Sequence, residues 1–131
     1  MGVSSSTEVA DAALALCSRN IDAICQIPGN LTAAAFSSIA PAAKRSKLPI
    51  FAFQTVQASG SVALLARDYL EAGRETGLMA ARVMRGENPA QIPFQPLQAP
   101  SRLIVNREVA RWSNLTVPPA VLKRALQVIG N

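Results

Sequence analysis

The sequence predicts an α/β fold, a parallel sheet flanked by helices, on three observations. Short apolar runs alternate with helix patterns through the first half of the chain. Those runs are continuously apolar, as strands buried on both faces are. Each is followed closely by turn residues and then a helix, the rhythm of βαβ units. The 131 residues suffice for one domain with its own core.

The elements follow in order. "TEVADAALALCSR" opens on a capping residue, Ser6 or Thr7, with Glu8 adding negative charge to the first turn. Val9, Ala12, Ala13 and Leu16 then fall on one helical face. "IDAICQI" is the first buried strand. "LTAAAFSSIAPAAKRS" is a helix that Pro41 must end or kink. "LPIFAFQ", aromatic and β-branched after a proline, is the second buried strand, and "SGSVALLARDY" supplies a third after a turn at Gly60. "LEAGRETGLMAARVMRG" is the clearest helix. Leu70, Gly73, Gly77, Met79 to Ala81 and Met84 build its small-residue face, and Gly86 stops it. "ENPAQIPFQPLQAPSR" holds four prolines and no helical period, so it reads as an extended connection. "RLIVN" is a strand, "REVARWS" one or two helical turns, "NLTVPP" a turn, and "AVLKRALQVI" a final helix beginning near Pro119.

Composition narrows the function classes. Half of the residues are apolar and 16% are charged, which suits a folded chain. No apolar run approaches the roughly 20 residues of a membrane span. The opening "MGVSSSTEVADAA" lacks a basic n-region and an apolar h-region, so a signal peptide is not expected in this chain. The net charge of +5 invites nucleic acid as a partner. Against that, the basic residues are scattered, "KRSK" at 44–47 is a helix-end cluster, and no aromatics interleave with it. No nucleic-acid partner is expected. There is no histidine, which removes the commonest general base and most transition-metal sites. Cys17 and Cys25 have no metal-ligand spacing and read as small core residues. Phosphate-loop, GxGxxG and GxSxG signatures are missing, and no carboxylates pair closely. No enzyme, cofactor or metal is expected.

Parallel sheets bind ligands beyond the carboxyl ends of their strands. Three segments place polar residues there. "QIPGNLT" offers Gln26, Asn30 and Thr32, "FAFQTVQ" offers Gln54, Thr55 and Gln57, and "LLARDY" offers Arg67, Asp68 and Tyr69. Each has a structural alternative. Asn30 can cap a helix or take a left-handed turn, Thr32 can be a first-turn residue, Gln54 a rim residue, and Asp68 an N-cap. Trp112 reads as a packing anchor.

"ARDYLEAGRETGLMAARVMRGENPAQIPF" resembles a hallmark stretch of the ABC transporter substrate-binding protein family that includes tryptophan- and tyrosine-binding members. Asp68, Tyr69, Gly73, Gly77, Ala80, Gly86, Glu87, Pro89 and Pro93 match its pattern. "RLIVNREVARWSNLTVPPAVLKRALQVI" is similar to the family's C-terminal signature at Asn106, Leu115, Thr116, Pro118, Pro119, Leu122 and Ala125. "IDAICQIPGNLT" keeps Asp22, Ala23, Pro28 and Asn30 of the family's strand-to-helix turn. Gly29 stands where an Asp is typical, and Ala66 where a glycine usually precedes the Asp-Tyr pair.

The resemblance implies a partial type I periplasmic-binding-protein fold, the C-terminal part only, with segments that cross between two lobes. On that reading 1–58 is a lobe of βαβ units, 59–94 a crossover strand and helix, and 95–131 a C-terminal strand and helices. It implies an extracytoplasmic or periplasmic component of an ABC importer, working with a permease. Such a component traps a small solute such as an amino acid between its lobes without catalysis. Asn30, Thr32, Gln54 and Asp68 are the contacts it suggests, Asp68 for an ammonium group and Asn30 for a carboxylate or amide. A long helix without its usual partner lobe points to a homodimer or strand-exchanged dimer. The alternative reading is a ligand-sensing or interaction module of a regulatory protein with the same fold.

Overall fold

The computed structural model describes residues 2–93 and 101–130. Its elements are α1 (Ser6–Cys17), β1 (Ile24–Gln26), α2 (Asn30–Ala34), α3 (Phe36–Arg45), β2 (Ile50–Ala52), β3 (Ala63–Arg67), α4 (Tyr69–Met84), β4 (Ser101–Asn106), α5 (Arg107–Trp112), α6 (Pro119–Arg124) and β5 (Gln127–Ile129). Short 3-10 helices span Thr55–Gly60 and Pro89–Gln91. The chain divides into two compact units, 1–66 with 102–131, and 67–101.

The first unit carries a five-stranded sheet in the order β1-β2-β3-β4-β5. β1, β2 and β3 run parallel, as do β4 and β5. The register sets Gln26 beside Ala52, and Ala52 beside Leu64. The backbone N–H of Asn106 donates to Val62 C=O at 2.8 Å, tying the end of β4 to the start of β3. The expected α/β class with helices on a mostly parallel sheet is therefore what the chain adopts.

Local chemistry explains the helices. α1 is capped by Ser5, whose hydroxyl accepts from Glu8 N–H at 3.2 Å, one residue before the expected cap. Ser4 N–H donates to the Glu8 carboxylate at 2.7 Å and holds that carboxyl below its ordinary value. Pro41 lies inside α3, which runs on to Arg45, so the expected break is displaced. The helix is instead interrupted earlier, at Ala35, and Pro41, which has no N–H to donate, lies within α3. Lys44 and Arg45 fall in the last turn of α3, where positive charge suits the helix dipole.

The main core is the packing of α1 and α3 on one face of β1 and β2: Val9, Ala13, Ile24, Phe36, Ile39, Ala43 and Ile50. A second cluster joins Ala52, Leu64, Ala66 and Ile104, and a third sets Val62 against Val109, Ala110 and Trp112. Trp112 thus packs as anticipated. The expectation of strands buried on both faces fails. Cys25, Phe51 and Leu65 point to the other face and are exposed. Cys25 is accordingly no core residue, and Cys17 is only half-buried.

The last segment also departs from expectation. α6 stops at Arg124, and "QVI" is β5 rather than more helix. Leu126 N–H donates to Leu103 C=O at 2.8 Å, so β4 captures a sequence that lacks length for a stable helix.

The second unit is built on α4. Asp68 caps it, Oδ1 accepting from Leu70 N–H and Glu71 N–H, and Gly86 follows it at φ 95°, in the left-handed region. Arg82 and Glu87 form a two-pronged ion pair across that turn, which raises the arginine pKa and lowers the carboxyl's. The small-residue face is not buried: Leu70 is 78% and Met84 87% exposed. Among the described residues, a Cβ added to Gly73 or Gly77 would meet nothing within 4 Å.

Candidate functional site

The carboxyl ends of β1 and β2 lie side by side because Gln26 is in register with Ala52. β1 ends at Gln26, and Pro28 and Gly29 turn the chain directly into α2. β2 ends at Ala52, and two residues later Gln54 caps the 3-10 helix that carries Gln57. This edge of the first unit contains no charged side chain, either across 26–32 or across 53–61.

The predicted site residues are placed as follows. Asn30 is the first residue of α2, exposed, with Gly29 rather than itself as the cap, and its φ is not left-handed. Thr32 is half-buried, and its hydroxyl donates to Gly29 C=O at 3.2 Å. Gln54 is half-buried with Oε1 enclosed and without a hydrogen-bond partner among the described residues. Asp68 is buried and belongs to the second unit, where it caps α4.

A hollow of ≈ 280 Å³ opens beside this edge, between α1, β1 and α2. Its walls are mainly apolar, from Val9, Ala13, Leu16 and Ile24, with Gln26 and Thr32 as polar groups. An apolar recess with a few polar groups is the usual form of a small-molecule site, and this one lies near the small end of the range. Thr32 is thus brought to the recess. Asn30 and Gln54 do not line it.

Sequence reasoning passed over two residues in favour of others. Gln57 is 0% exposed, and neither of its amide atoms has a hydrogen-bond partner among the described residues. Gln26 is 6% exposed with Nε2 unpartnered. Such a group costs about 1–3 kcal/mol when left unsatisfied, so folded chains rarely retain one without a use. The signal in the sequence was slight: one amide within the apolar run "AICQI", and a second three residues after Gln54. Among the described residues, no group of acidic, cysteine or histidine side chains could hold a metal ion. Likewise, no described helix is long and apolar enough to cross a membrane.

The family model of the ABC transporter substrate binding protein matches residues 1–129. The chain belongs to that family. It is a family of solute-binding proteins, not of enzymes. Among solved structures, an ABC domain from Streptococcus pneumoniae in complex with L-Trp is 30% identical with a TM-score of 0.83, over 98% of this chain and 43% of that one. A conserved domain protein from Vibrio cholerae is 30% identical with a TM-score of 0.80, over 95% of this chain and 42% of the other. A ligand-free, open substrate-binding protein with adhesive properties from Clostridium difficile shares the fold at 23% identity and a TM-score of 0.72, over 100% of this chain and 43% of that one. The chain therefore spans less than half the length of the solved proteins it matches. Among curated proteins, none matches it significantly.

Proposed function

We propose that this chain supplies one part of the extracytoplasmic solute-binding component of an ABC importer, holding a small solute such as an amino acid without catalysis. The observation that carries this reading is the polar carboxyl edge of β1 and β2, with its adjoining recess, in a member of a substrate-binding family. The similarity to a protein crystallised with L-Trp supports an amino acid as the solute class.

Asn30, Thr32, Gln54 and Asp68 are the proposed contacts. Asn30 is exposed and offers a donor and an acceptor to a carboxylate or amide. Asp68 suits an ammonium group, and a carboxylate accepts several hydrogen bonds at once, so capping α4 is compatible with that task. In a complete two-lobed protein, closure around the solute forms the surface that docks on the permease. This chain alone offers part of the cleft and binds weakly. The exposed face of α4 supports pairing, with a second copy or with the rest of a longer protein.

The test is calorimetry and thermal shift of the chain against the common L-amino acids. A saturable response to one or a few of them, lost in Asn30→Ala and Gln54→Ala, is the expected result. A uniformly blank panel for this chain and for a two-lobed version containing it would remove the transport reading.

A further inference from the structure

We propose that Gln26, Gln54 and Gln57 form a neutral amide site at the carboxyl ends of β1 and β2. It takes an uncharged group that both donates and accepts hydrogen bonds, such as a carboxamide or hydroxyl of the solute. The proposal rests on the solute-binding reading above and names the chemistry of that site.

Four enclosed side-chain atoms lack a hydrogen-bond partner among the described residues: Gln26 Nε2, Gln54 Oε1, and Gln57 Nε2 and Oε1. All belong to three glutamines in the segments that end β1 and follow β2: Gln26 is the last residue of β1, Gln54 precedes the 3-10 helix after β2, and Gln57 lies within it. Gln57 is held from both sides of its backbone. Its N–H donates to Gln54 C=O at 3.0 Å, and its C=O accepts from Ser61 Oγ at 2.8 Å. Neighbouring Ala58 C=O accepts from Asn106 Nδ2 at 3.1 Å, which fixes the 3-10 helix against β4. The backbone is thus tied down while the amide it carries is left with both hydrogen-bonding ends unused. Turning that amide over leaves the same donor and acceptor in place.

The set as a whole presents two donor nitrogens and two acceptor oxygens, which complement a group carrying both functions. The surrounding segments 26–32 and 53–61 carry no charge. A carboxylate or ammonium entering here would lose water without meeting a counter-charge from these two segments, whereas a neutral amide or hydroxyl exchanges water for protein partners nearly evenly. Charged parts of a solute must be met elsewhere.

The experiment uses the whole chain, labelled with ¹⁵N, and three small probes of similar shape: acetamide, acetate and methylammonium. Side-chain NH2 signals are assigned by their disappearance in Gln26→Met, Gln54→Met and Gln57→Met. The expected result is a saturable shift of the Gln26 and Gln57 signals with acetamide and no shift with either ion. Equal shifts with all three probes, or none with acetamide, would overturn the proposal. A second readout needs no probe. Gln57→Met replaces two unpartnered atoms with apolar ones of similar size, and is expected to raise the melting midpoint by roughly 3–6 °C while abolishing the acetamide shift at Gln26. A lowered midpoint would show that the amide has a structural partner, such as a buried water, and would overturn the site. A blank amino-acid panel for this chain and for its two-lobed version, beside a positive acetamide response, removes the transport reading alone. The reverse pattern removes this site alone.

Discussion

Gly60 closes the 3-10 helix beneath α3, and a Cβ built on it would lie 2.7 Å from Ala40 Cβ and 2.8 Å from Phe36 Cε1. Phe36 is buried in the main core and has no room to retreat. Gly60→Ala is therefore expected to destabilise the chain by about 1–3 kcal/mol, the usual consequence of overpacking, read by urea unfolding. A neutral result would show that α3 shifts freely. Glu8 tests electrostatics at the same scale. Ser4 donates to its carboxylate from both N–H and hydroxyl, holding the folded-state pKa below its ordinary value. A depressed carboxyl stabilises the fold above its unfolded value and loses that contribution as the pH falls through the folded one. Any stability difference between the wild type and Glu8→Gln should thus be present at neutral pH and vanish in strong acid. A difference independent of pH would assign it to packing.

At the scale of elements, α4 shows what a pattern in sequence can and cannot say. Its length, its Asp68 cap and its Gly86 stop were all legible, because caps and periodicity act within the helix itself. What covers its small-residue face was not, since that depends on a partner the periodicity does not specify. Glycine inside a helix is less favourable than alanine by roughly 0.5–1 kcal/mol unless something approaches it closely. With nothing within 4 Å of either position, Gly73→Ala and Gly77→Ala are each expected to stabilise α4 by that amount. Slower hydrogen exchange of the α4 amides would report it. A loss of stability would reveal an element packed on that face. β5 failed in sequence for a related reason. "QVI" continues the helical pattern of α6, and its parallel pairing with β4, begun by the bond from Leu126 N–H to Leu103 C=O, turns it into a strand. The site followed the same rule. Strand-end position marked Gln26, Asn30, Thr32, Gln54 and Gln57 alike as polar candidates, but only burial singles out Gln26 and Gln57 among them, and burial is a property of the assembled sheet.

For the molecule as a whole, the sheet of the first unit is covered on one side and open on the other across β1 to β3, whereas the end of β4 is buried on both faces. The register sets Cys25 beside Phe51 and Phe51 beside Ala63, and Leu65 continues that open face along β3. Parallel sheets are ordinarily covered on both faces, so this row is an interface in waiting. Cys25 makes it measurable. In a lone chain its exposed thiol should react with a thiol reagent faster than half-buried Cys17. Pairing across this face should slow Cys25 as protein concentration rises and leave Cys17 unchanged.

Charge would set the conditions for any pairing of two copies across this face. Two copies each carrying +5 repel at low ionic strength, while the apolar contact itself gains from added salt. Light scattering is therefore expected to give a mass that grows with concentration, and more steeply in high salt than in low. Opposite salt behaviour would point to ion pairs holding the copies together, in place of the apolar rows on α4 and the sheet. A mass of one chain at every concentration and salt would mean that these faces are left for a different partner. The additional length of the solved relatives, of which this chain spans 42–43%, is then the natural candidate. Adding a separately produced polypeptide that carries that remaining length should protect Cys25 from the reagent, and failure to do so would exclude it as the cover of this face.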